Sequence, residues 1–155
     1  MEQVNHPKHY NCHPQGLECI DIIRHYTFDI GCAIKYLWRA GLKESFWRSN
    51  DDKAVEDLEK ALWYINDYKV NQAKRTDGRY TGEFHMAGLI RHETLCSLRV
   101  ISDGFNPTVA KALRNLLRVG LLSDNCVWRQ HNWEDLLDKA AVSIQIRIEE
   151  IKGEV

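Results

Sequence analysis

Helix breakers are scarce in this chain. It has three prolines and nine glycines in 155 residues, and two of the prolines, Pro7 and Pro14, fall within the first sixteen positions. That scarcity excludes collagen-like and proline-rich linker chains. No apolar run approaches the roughly 20 residues that a membrane-spanning helix requires, so no membrane partner is expected. The five cysteines (Cys12, Cys19, Cys32, Cys96 and Cys126) are odd in number and form no CxxC. They suit reduced thiols better than a disulfide framework. The N-terminal stretch MEQVNHPKHY lacks the apolar run of a secretory signal, which points to a cytoplasmic protein. Neither sign of charge dominates: 21 Lys and Arg stand against 22 Asp and Glu, a net charge of −1. That balance argues against a broad nucleic-acid footprint, so any phosphate site must come from a local cluster of cations. GxxxxGK[ST], GxGxxG, GxSxG and HExxH are all missing, which excludes a P-loop enzyme and the familiar dinucleotide, serine-hydrolase and zincin sites.

What is present is helical periodicity. The expected fold is all-α: a compact bundle of about six helices with an irregular N-terminal arm over residues 1–16. Helix 1 is predicted from Leu17 to Tyr26 on the repeat of Leu17, Ile20 and Ile23. Asp29 is the predicted N-cap of helix 2, Ile30 to Gly41. Ser49 and Asp52 resemble a capping box with Asp in place of Glu. They open helix 3, Asp51 to Lys74, whose Val55, Leu58, Leu62 and Ile65 carry the 3-4-3 spacing of an amphipathic helix. The polar stretch RTDGRYTG (75–82) reads as a linker between a first region, 1–74, and a second, 83–155. In the second region helix 4 is predicted over 83–101. Asn106 then caps helix 5 with Pro107 at its first position, and Gly120 is its expected C-cap. Helix 6 starts at Asn132. FDIGCAIKYLWRAGL (28–42) can be laid on FNPTVAKALRNLLRVGL (105–121), and EDLEKA (56–61) falls near EDLLDKA (134–140). This is either a decayed duplication or chance similarity between amphipathic helix pairs.

Several residue groups can carry chemistry. In the arm, Asn5, His6 and His9 can donate to phosphate oxygens, and Tyr10 can stack on a base. The same arm offers a zinc set in His6, His9, Cys12, His13 and Cys19, but its spacing fits no finger or ribbon, so zinc is not expected. Lys35 and Arg39 share one face of helix 2, with Lys43 just beyond its end. Three cations over nine residues suit a di- or triphosphate, although such a pattern is ordinarily a solvated basic face. Glu18 and Asp21 on helix 1 and Asp57 on helix 3 are candidate Mg²⁺ ligands, against the plainer reading of surface ion pairs.

Four blocks alter this weighing: NHPKHY (5–10), GLECID (16–21), IKYLWRAGLK (34–43) and EDLEKALWY (56–64). In that order they resemble the small phage nucleotide kinase family, also called SaV-like, over about residues 4–68. The resemblance implies phosphoryl transfer to deoxynucleoside monophosphates from ATP or another nucleoside triphosphate, in the cytoplasm of a host cell. The resemblance carries over these motif positions, and their chemistry gives each a role: His6, His9, Lys35 and Arg39 as catalytic, Asn5, Tyr10, Lys43, Lys60, Trp63 and Tyr64 as nucleotide contacts, and Glu18, Asp21 and Asp57 as candidate Mg²⁺ ligands. The chain departs from the family pattern at Cys32, where Asn is common. A helical nucleoside-triphosphate pyrophosphohydrolase and a non-catalytic nucleotide sponge are the alternatives. Homo-oligomerisation through the apolar stripes of the long helices is compatible with each of them.

Overall fold

In the computed structural model the structure describes residues 8–10, 13–42, 49–75, 98–99, 101–121 and 133–154. These residues are predominantly helical and include no strand. A short 3-10 turn, Lys8–Tyr10, precedes five α-helices: α1 Cys19–Ile23, α2 Phe28–Arg39, α3 Asn50–Arg75, α4 Pro107–Leu121 and α5 Trp133–Lys152. The predicted helix over 83–101 and the predicted linker fall almost wholly outside the described residues, as do residues 43–48.

Local chemistry explains the boundaries. The helix α1 is shorter than its apolar repeat predicts. Arg24 Nε takes the Ile20 carbonyl at 3.2 Å, and the next two amides bond three residues back, His25 to Ile22 and Tyr26 to Ile23. That 3-10 geometry tightens the last turn and ends the helix. The helix α2 starts two residues before the sequence suggests, with Thr27 as N-cap. Asp29 lies instead inside the first turn, where a carboxylate meets the positive end of the helix dipole. The helix stops at Arg39, not Gly41, because Ala40 turns to φ −57, ψ 120 and Gly41 takes φ 81. With Leu42 N–H donating to the Arg39 carbonyl at 2.9 Å, these four residues form a type II turn, whose third position needs a positive φ.

Two sequence-read caps form as expected. Asp52 N–H donates to Ser49 Oγ at 3.0 Å, and Asn106 Oδ1 accepts from Thr108 and Val109 N–H at 2.9 and 3.4 Å. The helix α4 does not stop before Gly120 but continues through it to Leu121. The helix α5 closes at Gly153 with a Schellman pair, Gly153 N–H to Glu150 and Glu154 N–H to Glu149.

Four helices share one core. The helix α2 lies on α3 and α4 on α5, while α3 also touches α5 and α2 touches α4; α1 and the 3-10 turn lean on α2. Ile34, Leu37, Leu58 and Ile65 from the first region meet Leu113, Leu116, Leu117, Leu137 and Ile144 from the second, all at 0–1% exposure. Burying a Leu or Ile side chain contributes about 1.5–3 kcal/mol, so this seam is the main cohesive term. The order of the two helix pairs is that of the internal echo. On that alignment Arg39 and Asp57 correspond to Arg118 and Asp135. The first two form a buried pair, whereas Arg118 is exposed and Asp135 binds Lys139.

Residues 13–15 are fastened to the second region. His13 is 5% exposed and its ring stacks on Trp38, centroids 5.5 Å apart. Gln15 N–H donates to His13 Nδ1 at 3.2 Å. That makes Nε2 the protonated nitrogen, donating to the Ile101 carbonyl at 3.2 Å. Phe105 meets Trp38 edge-on at 5.1 Å, so a histidine weighed as a metal ligand belongs to an aromatic core instead.

Candidate functional site

The face shared by α2 and α3 gathers charged and aromatic side chains around Tyr36. On α2, Lys35, Tyr36 and Arg39 face α3; on α3, Lys53, Glu56, Asp57, Lys60, Trp63 and Tyr64 follow a 3–4 spacing, which keeps them on one side of the helix. The centre is an ion pair. Arg39 donates through Nε and Nη2 to both Asp57 oxygens at 3.0 and 2.8 Å, and through Nη1 to Tyr10 Oη at 3.1 Å. Asp57 is fully buried and the Arg39 side chain is 10% exposed. Burial by itself would lower the Arg39 pKa, but the hydrogen bonds it donates to Asp57 and Tyr10 raise it above its ordinary value, so this cation is permanent.

Three cations surround the Tyr36 ring: Arg39 at 4.5 Å, Lys35 at 5.1 Å and Lys60 at 5.7 Å from its centroid. The ring quadrupole favours cations at such distances. Tyr64 stacks on Tyr36 with centroids 5.7 Å apart and planes 19° apart. Phe28 and Trp63 meet Tyr64 edge-on at 6.0 and 4.9 Å. Both are open to solvent, Phe28 at 74% and Trp63 at 60% exposure. Lys53 reaches Glu56 at 2.9 Å and Asp57 at 3.6 Å, and Lys60 also pairs with Glu56. The hydrogen bond from Lys60, then that from Lys53, holds the Glu56 carboxyl down at about 2. Four cations (Lys35, Arg39, Lys53, Lys60) thus meet two carboxylates in one network, a local positive surplus in a chain of net charge −1. Asp29, which acts electrostatically on Tyr64 from the start of α2, returns part of that surplus.

The arm and α2 do converge, through Tyr10 and Arg39. His9 lies against Tyr10 with centroids 4.3 Å apart. Asn5, His6 and Lys43 lie outside the described residues. The three carboxylates expected to hold Mg²⁺ are not brought together. Asp57 is closed in by Arg39, Asp21 bonds Arg24 at 2.9 Å on an exposed face, and among the described residues no group of His, Cys, Asp or Glu has the arrangement of a metal site. The residues therefore do not fit a protein-held Mg²⁺ at this position. The same finding covers His9, His13 and Cys19 of the zinc set, with Cys19 buried in the body of the protein, while His6 and Cys12 lie outside the described residues.

Three participants had no signal in the motif blocks: Lys53, Phe28 and Cys32. Lys53 was legible as an i, i+4 partner of Asp57. Cys32 sits one turn after Phe28 and acts electrostatically on Tyr64, so at the position where Asn is common the thiol still faces this site. A shallow groove of about 290 Å³ between the start of α3 and the end of α5 shares Glu56 with this network and is otherwise lined by Asp51, Asp52, Val55, Glu59, Ile151 and Lys152. Its acidic lining is unsuited to an anion.

Residues 4–66 match a family described as a protein of unknown function (DUF3310). The match spans the 3-10 turn, α1, α2 and most of α3, and so contains the whole Tyr36 network. No curated protein and no solved structure matches the chain.

Proposed function

We propose that this chain binds a nucleotide on the α2–α3 face, with the base stacked beside Trp63 and Tyr64 and the phosphates on Lys35 and Lys60. The observation that carries the reading is the convergence of lysines from two helices over one tyrosine ring, next to exposed aromatic surface. Base stacking on an aromatic side chain is worth about 1–3 kcal/mol. A hydrogen bond to a charged group adds about 1.5–3 kcal/mol. Arg39 acts here as a positioning residue: its charge is matched by Asp57, and it holds Tyr10 and Tyr36 in place.

Phosphoryl transfer, implied by the resemblance, is the second reading. Such chemistry requires positioning and charge neutralisation rather than covalent participation by the protein, and two lysines beside an aromatic shelf can supply both. It also requires room for a donor and an acceptor nucleotide together. Among the described residues the carboxylates do not assemble a metal site, so the protein's part in this reading is that of its lysines and aromatic rings.

Isothermal titration with deoxynucleoside mono- and triphosphates tests binding. Saturable binding is expected, weakened about ten-fold or more in K35A/K60A, with the unliganded variant still unfolding cooperatively at a midpoint lowered by the loss of the Lys60–Glu56 pair. Absence of binding to every nucleotide would overturn the reading. Analysis of the recovered ligand then separates a binder, which returns it unchanged, from a kinase, which yields diphosphate when a triphosphate donor is present.

A further inference from the structure

The helix α4 exposes a narrow stripe, and that stripe is cationic. Of its residues from Lys111 to Val119, Ala112, Leu113, Asn115, Leu116, Leu117 and Val119 are buried. Lys111 and Arg118 are exposed and Arg114 is half-buried. Positions 111, 114 and 118 fall on one face at helical spacing, along about 10 Å of axis. The sequence Pro107–Leu121 contains no acidic residue.

Most described cations elsewhere are matched by carboxylates: Arg24 by Asp21, Arg39 by Asp57, Lys53 and Lys60 by Glu56, Lys69 by Asp138, Lys139 by Asp135 and Arg147 by Glu150. On α4 no described carboxylate pairs with Lys111, Arg114 or Arg118. Arg114 instead donates to Ser102 Oγ at 3.0 Å, and Ser102 in turn donates to the Arg99 carbonyl at 3.1 Å. That chain fixes one guanidinium and brings the exposed Arg99 into the neighbourhood.

We infer that Lys111, Arg114 and Arg118 on the solvent face of α4 form a contact surface for the phosphate backbone of a nucleic acid. The stripe holds none of the exposed large apolar side chains, which lie at Ile20, Phe28, Leu42, Trp63, Val70, Val142 and Ile146. A helix that docks in a protein groove or enters a membrane interface needs apolar anchors. A phosphate backbone needs only cations at intervals, and one strand presents a charge every 3.4 Å or so of duplex axis. The stripe therefore spans about three phosphates. This departs from the expectation drawn from the net charge, which averages this stripe with a surface where cations are paired to carboxylates. It is independent of the nucleotide reading, since none of these residues belongs to the Tyr36 network.

Fluorescence anisotropy of the full chain with labelled 20-mers, one duplex and one single-stranded, tests the inference across a salt series. With three phosphate contacts, duplex affinity should fall about forty-fold between 50 and 200 mM salt. The single-stranded arm should fall less steeply. In K111A/R118A, two exposed changes expected to leave the melting midpoint nearly unchanged, the fall should shrink to about four-fold and low-salt binding should weaken. The inference is overturned if neither 20-mer binds at 50 mM salt, or if K111A/R118A binds with an unchanged salt dependence. It is equally overturned if anionic phospholipid vesicles bind as well as the 20-mers and lose binding in the same variant.

Discussion

At the scale of single residues, the Arg39–Asp57 pair decides how the candidate site is held. A buried ion pair adds little over a well-packed apolar pair, but removing one partner leaves an uncompensated charge. D57N should therefore lower stability by about 3 kcal/mol in urea unfolding, and R39M/D57N should recover part of that loss. A double variant as unstable as D57N would show that the cost comes from packing. Glu56 gives a pH signature. Its folded pKa of about 2 lies below the ordinary 4.5, so the folded state binds fewer protons than the unfolded chain in that interval. The stabilisation is complete above pH 4.5 and is lost as pH falls towards 2. E56Q should flatten this acid limb by bringing the neutral region of a pH series of melting midpoints down towards its acid level, with the acid end nearly unchanged. The residue types at 39, 57 and 60 were legible as a cationic and acidic stripe. Their pairing was not, because Arg39 and Asp57 are eighteen positions apart and no local spacing brings them together.

At the scale of elements, what could be read in advance was whatever local chemistry determines. The helix α3 was placed to within a residue of each end because its apolar repeat and its Ser49 cap agree with its packing. The Asn106-Pro107 start of α4 was legible for the same reason. The end of α2 was missed, since an apolar repeat runs smoothly through Ala40 and Gly41, and only the turn geometry stops it. The docking of residues 13–15 was also invisible. Gly104 has φ 79, and a Cβ there would lie 2.6 Å from Pro14 Cγ. G104A should then lower stability by about 2 kcal/mol or more, from backbone strain and overpacking together, as read from the urea midpoint. P14A should relieve the packing part in the G104A background but not the strain. Were G104A neutral, residues 13–14 would not be seated against the start of α4 in solution.

At the scale of the molecule, two helix pairs close on one hydrophobic seam, and the ionic groups are sorted around it. The sequence foretold an all-helical bundle because periodicity and the shortage of breakers are global signals. It could not foretell that the cations divide between an aromatic shelf on α2–α3 and a bare stripe on α4, since composition carries no position. The shelf is the centre of the account, and Trp63 is its natural reporter because 60% of it is exposed beside Tyr64. Tryptophan fluorescence should change saturably as a deoxynucleotide is titrated in, and W63F should remove most of that change while K35A/K60A shifts its midpoint to higher concentration. A response that survives W63F at full amplitude, or a midpoint unmoved by loss of both lysines, would contradict the placement of the nucleotide on this face.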